Sequence, residues 1–309
     1  MGGERGTIAP EYLALILTAI LVGTLARLLT LKIDYRQYPS HPNGYMIHLV
    51  IGFIAASLGA FAVPAVMTGN YTAVTFLTLA LQQFRDVRRM EKESLKDLES
   101  TEFTPRGDAY IDGIAKTFES RNYIALLVSL TTGATIEATK FLVPAFNLGL
   151  GVLAGGAVFL ILRHFSQDKT VGDIAHITLG KIEIRKAELY VDDIFVSNLI
   201  GTKNAQDLLS MKGLAAVIEP NAEHYRIALD NFGQRKAILF EATRSLGVKR
   251  YHFTRKDFAT GKTVIVFVPI IKDEKKLIRV IENTPLLESV KKSHALLNRG
   301  VLGGDENGS

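Results

Sequence analysis

The amino-acid sequence predicts a multi-pass α-helical membrane domain followed by a small cytoplasmic α+β domain. Two observations carry this reading. Long apolar runs are concentrated before Phe165, and the clearest are about 20 residues long, enough to cross a ~30 Å hydrocarbon layer. After Phe165 the chain becomes charged, with short stretches in which apolar residues alternate as half-buried strands require. Whole-chain composition, 48% hydrophobic over 309 residues, averages over these two halves and hides the difference. The absence of Cys excludes disulfides and thiolate metal ligands. A formal net charge of +5 fits an anionic membrane surface better than a nucleic-acid groove. Nor do basic and aromatic residues interleave as in RNA-binding modules, so no nucleic-acid partner is expected.

The membrane domain is read over residues 1–165 with about five spans, at 12–31, 45–67, 71–83, 123–143 and 146–162. The first run lacks a basic n-region and a small-x-small cleavage site, so it reads as a retained span rather than a signal peptide. Arg27 near its end is placed to snorkel to the headgroups. The last run, "LGLGVLAGGAVFLIL", is glycine-rich, which suits close helix packing in lipid. Lys32, Arg36, Arg85, Arg88, Arg89, Arg163 and Lys169 all flank spans on one face if there are five, with the N-terminus outside and the C-terminal domain cytoplasmic. A four-span arrangement with 71–81 re-entrant divides those flanks between both faces.

Residues 84–121 form a cytoplasmic helical insert between the third and fourth spans. Phe84, Val87, Glu91, Leu95 and Leu98 recur at helical spacing, Pro105–Asp108 interrupts the chain, and a second helix starts at Asp108. Residues 166–302 form the α+β domain. "KIEIRKAELYVDDIFV" reads as two short strands and "AQDLLSM" as a helix. "LAAVIEP" reads as a buried strand, and "GQRKAILFEATRSLG" as a helix stopped by Gly247. "VKRYHF" and "TVIVFVP" form a hairpin across "TRKDFATGK", and a last helix is capped by Asp273. This order suggests a small two-layer sandwich, with a ferredoxin-like arrangement as the candidate and strand order left open. Residues 303–309 read as a disordered tail.

No nucleotide fingerprint, zincin motif or nucleophile elbow is present, and no cofactor or metal is expected. "GLGVLAGG" lies inside an apolar run without a preceding strand or a Lys, which favours helix packing over phosphate binding. His48, inside the second run near its cytoplasmic end, reads as an interfacial residue rather than a ligand. Three sets of polar residues stand out. The first is Arg85, Asp86, Arg88, Arg89 and Glu91 at the exit of the third span, either a solvated helix face or partners for carboxylates of the second set. The second is Arg106, Asp108, Tyr110, Asp112, Glu119, Arg121 and Asn122, either a capped helix on the bilayer surface or a binding site. The third is Glu137 and Lys140, three residues apart on one helix face, either a structural ion pair or a functional site. Asp108 and Asp112, four apart, share a face and could share a proton, and with Asp86 they are the candidate catalytic carboxylates.

"YIDGIA" (Tyr110–Ala115) resembles the signature that names the YIEGIA family of membrane proteins from endospore-forming bacteria. "QQFRDVRRME", "PRGDAYIDGIAKTFESRNY" and "TPLLES" are similar too, so the resemblance covers most of the chain and adds Ile111 and Gly113 to the motif residues. Asp112 stands where the family name has Glu, one methylene shorter. The resemblance implies a sporulation role, in assembly of the spore envelope. It leaves two expectations: recruitment or positioning of other sporulation membrane proteins through the cytoplasmic domain, or a membrane-bound protease controlled by a small partner protein. A transporter, prompted by Glu137 and Lys140, has no inverted repeat behind it.

Overall fold

The computed structural model describes residues 10–34, 42–100, 102–166 and 169–290. The chain divides into two compact units: Met1–Glu93 with Ile114–Gln167, and Ser94–Gly113 with Asp168–Ser309. The 303–309 tail, expected to be disordered, lies outside the described residues.

The first unit is helical: α1 (Pro10–Asp34), α2 (Pro42–Met67), most of α3 (Tyr71–Glu99), α4 (Asp108–Ala138) from Ile114 on, and α5 (Pro144–Phe165). Three stretches are long and apolar enough to cross a membrane: Tyr12–Leu31, Met46–Met67 and Pro144–Phe165. The expected span at 71–83 falls in α3 and most of that at 123–143 in α4; both helices are long enough, but neither holds a stretch of that apolarity. The reason is visible in the residues. Each joins an apolar half to a charged one, and α4 adds Ser129, Thr131, Thr132 and Thr135. Three of these hydroxyls are satisfied internally: Thr132 and Thr135 donate to the carbonyls of Val128 and Thr131 at 2.8 Å, and Ser129 donates to the carbonyl of Ala56 at 2.6 Å. The helix expected over Phe84–Leu98 and the one expected to start at Asp108 are both present, as the end of α3 and the beginning of α4, with Ser100–Gly107 between them.

Small residues set the helix spacing. A Cβ on Gly59 would lie 2.3 Å from the Leu126 carbonyl oxygen, and one on Gly155 would lie 2.1 Å from Thr132 Oγ1. The glycine-rich run thus packs against α4. Pro144 starts α5 rather than marking the turn before it; the turn lies at residues 139–142.

In the second unit, strands β1 (Ala175–Leu179), β5 (Leu214–Pro220), β7 (Thr263–Pro269) and β6 (Val248–Lys256) form an antiparallel sheet in that spatial order. β2 (Ile182–Arg185), β3 (Glu188–Val191) and β4 (Ile194–Ser197) form a separate antiparallel meander. α6 (Lys203–Lys212), α7 (Arg226–Asp230), α8 (Phe232–Leu246) and α9 (Glu274–Glu282) complete it. β7 is buried along its whole length. Val264, Val266 and Val268 pack with Leu189, Val191 and Leu209 of the meander and α6, while Ile265 and Phe267 are buried on the opposite face. Sheet, meander and helices therefore make three layers, not two. The stretch read as two strands is three, because Lys186, Asp192 and Asp193 take positive φ and close two tight turns within it. The ferredoxin-like arrangement is met in permuted chain order: β5, α8, β6, β7 and α9 follow one another as β-α-β-β-α, and β1, earlier in the chain, pairs beside β5 where the last strand of that fold would lie. The stop at Gly247 (φ 67°) and the Asp273 cap, whose carboxylate accepts from the Lys276 N–H, are as expected.

Candidate functional site

The motif residues divide between the two units. In the second, the break between α3 and α4 is held by Glu99, whose carboxylate accepts from the Gly107 N–H at 2.7 Å, with Gly107 at φ 90°. That turn places Arg106 and Tyr110 against α8. The Tyr110 hydroxyl donates to Glu241 Oε1 at 2.5 Å, and Glu241 is also paired with Arg244 at 2.7 Å. The Tyr110 ring meets Phe240 edge-on, with centroids 6.1 Å apart. Arg106, 3% exposed, lies over the same Phe240 ring at 4.8 Å and is paired with Glu102 at 3.2 Å. Its Nε and Nη1 are buried without an acceptor among the described residues. Burial first, then the Glu241 charge and hydrogen bond, push the Tyr110 phenol well above its usual range; Arg244 and Arg106 oppose this weakly. At neutral pH the phenol is therefore a fixed proton donor, not a nucleophile.

In the first unit Arg27 is fully buried. This corrects the snorkelling expectation. Its Nε donates to Asn122 Oδ1 at 3.2 Å and its Nη1 to Thr30 Oγ1 at 3.1 Å, and its guanidinium lies 5.3 Å from the Phe118 ring centre. The physical cause is a notch: an ideal Cβ on Gly52 would fall 2.3 Å from Arg27 Cγ, so the glycine of α2 admits the arginine stem. His48 is also buried, its ring tilted against Phe118 at 4.6 Å. Arg121 and Asn122 are buried, and Glu119 is bonded to Arg88 at 3.2 Å.

The candidate carboxylates are divided between the two units. Asp86 is exposed on α3 in the first unit, while Asp108 and Asp112 belong to the second. Asp108 is 77% exposed and paired with Lys96 at 3.0 Å. Asp112 is half-buried, Ile111 is fully buried, and a Cβ on Gly113 would enter open space. Arg89 pairs with Glu93 on an exposed face, and the Arg85 side chain lies outside the described residues. Glu137 and Lys140 pair at 2.8 Å and line a cavity of about 370 Å³ with Tyr12, Leu15 and Asn147. Sequence reasoning did not single out Glu241, Phe240 or Arg244. A signal was available, since Glu241 is the one charge in "AILFEAT", a run buried on nearly every side.

Fold and site together define a protein with a helical N-terminal region carrying three candidate spans and a C-terminal unit with antiparallel sheets. The chain belongs to the YIEGIA family: the model of the YIEGIA protein family matches residues 15–296. It is also similar to a Bacillus subtilis (strain 168) protein printed as "Uncharacterized protein YphB", 36% identical over 286 residues, covering 90% of this chain and 94% of that one. No solved structure matches it.

Proposed function

We propose that this chain is an integral membrane protein of endospore formation that recruits or positions partner proteins through its second unit. The reading includes five spans, the N-terminus outside and the second unit in the cytoplasm, contributing to spore envelope assembly. The observation that carries it is the fate of the signature. Tyr110 and Arg106 are spent on internal contacts with α8, and Asp108, which opens the motif helix, is exposed and paired with Lys96. The motif residues then complete the packing of the second unit rather than carry chemistry, which suits a recruiting protein. The family resemblance supplies the sporulation context.

The test is complementation of a sporulating strain lacking this gene, counting heat-resistant spores with membrane levels followed by immunoblot. Asp108→Asn and Asp112→Asn are expected to restore sporulation, and a chain lacking residues 168–309 is not. Full rescue by that truncation would sink the proposal. Failure of either Asp variant at normal protein level would favour the regulated membrane protease instead, and a cleaved envelope or regulatory protein would then be sought.

A further inference from the structure

We infer that the cavity beside Glu137 and Lys140 holds the phosphoethanolamine head of a membrane lipid. The inference rests on the membrane reading of α1 and α5. The cavity, about 370 Å³, lies wholly within the first unit, among the start of α1, the end of α4 with the turn that follows it, and the start of α5. That volume is near the lower bound for small-molecule sites, so it suits a head group and leaves the acyl chains outside. Its polar lining is Tyr12, Glu137, Lys140 and Asn147, set among aliphatic side chains. Asn147 shares a hydrogen bond with the Thr139 hydroxyl at 2.7 Å, which fixes its amide on the wall.

Two observations choose this occupant. The first is the order of the charges. The Glu137 side chain is 12% exposed and that of Lys140 68%, so the carboxylate sits inside and the ammonium at the mouth. Lys140 donates to Glu137 Oε1, and among the described residues no bond reaches Oε2. A covered carboxylate oxygen calls for a donor. A primary ammonium entering the cavity supplies one, and the phosphate two carbons behind it then meets Lys140 and Asn147. A choline head has no N–H to give, and a purely anionic head sets a second negative charge against Glu137. The second observation is position. Tyr12 and Pro144 are the first residues of two candidate spans. α1 and α5 run in the same direction, because Leu15 packs with Leu148 and, further along, Ala26 with Phe159. Both spans therefore begin at one membrane face, and the cavity lies at that level, where pockets between spanning helices take lipid head groups. Phe141, Val143 and Phe146 are 80%, 72% and 62% exposed in the turn and at the start of α5, an apolar rim for the chains to lie on.

Native mass spectrometry of the full chain in detergent tests this, with phosphatidylethanolamine, phosphatidylcholine and phosphatidylglycerol of the same acyl chains offered in equal amounts. Wild type is expected to retain phosphatidylethanolamine severalfold over either rival. Glu137→Gln should bring that retention down to the phosphatidylcholine level. Ala14→Phe, at an exposed lining position, fills the cavity while both charges stay in place, and should do the same. Equal retention of the three lipids by wild type overturns the inference. A preference that survives Ala14→Phe overturns it too, since the head group then binds elsewhere. Soluble glycerophosphoethanolamine carries the same head and should displace the lipid only in large excess; displacement at equal concentration overturns the membrane lipid as its source. A chain that stays in solution without detergent overturns the membrane reading beneath it.

Discussion

The first unit buries Arg27 and the second buries Arg106, and the two guanidinium groups are held differently. Arg27 lies among apolar helices yet donates to Asn122 and Thr30, with its stem seated against Gly52. Arg106 lies against Phe240 with one carboxylate partner, Glu102, and two buried N–H groups without acceptors among the described residues. A buried charge stabilises a fold only when its donors are matched, because desolvation costs several kcal/mol per ion. Arg27 is integral to helix packing through the Gly52 notch and its bonds to Asn122 and Thr30, while the motif turn of the second unit is held to α8 mainly by the neighbouring Tyr110–Glu241 bond.

The largest effect expected from this contrast is at Arg27. Arg27→Ala removes the stem from the Gly52 notch and leaves Asn122 Oδ1 without its donor, at a cost of about 3 kcal/mol. Hydrogen exchange of the full chain in nanodiscs should show faster exchange in α1, α2 and α4. Unchanged protection there would mean that Arg27 is a passenger and that the contrast is false.

Tyr110→Phe comes next, at about 1–2 kcal/mol, because it leaves Glu241 buried with one partner fewer. It carries its own pH signature. The folded phenol titrates above the unfolded value of about 10, so its contribution is complete below that pH and is lost as pH rises through the folded value. Wild type should therefore lose stability above pH 10 more steeply than Tyr110→Phe, as read by thermal melts across pH. Parallel curves would sever the link between Tyr110 and α8.

How much of this was legible beforehand follows from what each residue's neighbours are. β5, β7, α8 and α9 could be read because short apolar runs and helical spacing are local signals, and the stops and caps at Gly247 and Asp273 act within a turn. The third meander strand was hidden because its turns need positive φ at Lys186, Asp192 and Asp193, which residue type alone does not announce. Arg27 was misread because its end of the run is compatible with snorkelling, and only Gly52, 25 residues on in another helix, admits it to the interior. The motif's polar residues could be listed, but Tyr110 meets Glu241 across 131 positions, and no spacing rule reaches that far.

Arg106→Met sharpens the comparison from the other side. The variant loses the Glu102 pair and the contact of charge with Phe240, but also removes two orphaned donors and the desolvation of a cation. Apolar replacement of buried ions is often neutral. Its stability should stay within about 1 kcal/mol of wild type, against a clear loss for Arg27→Ala in the same assay. Equal losses would mean that an acceptor completes the Arg106 site in the working protein.

The smallest effect should come from the residue that looks most catalytic in the sequence. Asp108 opens α4 and meets Lys96, but its side chain is 77% exposed and that of Lys96 44% exposed, so water screens the pair. Such bridges contribute about 0–1 kcal/mol, and the charge at a helix N-terminus adds a few tenths. Asp108→Asn keeps a good first-turn residue and should lower stability by about 0.5 kcal/mol, with the loss fading in ~1 M salt, where charges are screened within about 3 Å. A melting curve at low and high salt measures this directly. If Asp108→Asn costs as much as Tyr110→Phe at both salt concentrations, screening is not what weakens the pair, and the division between a buried fastening and a solvated helix start would have to be redrawn with Asp108 inside it.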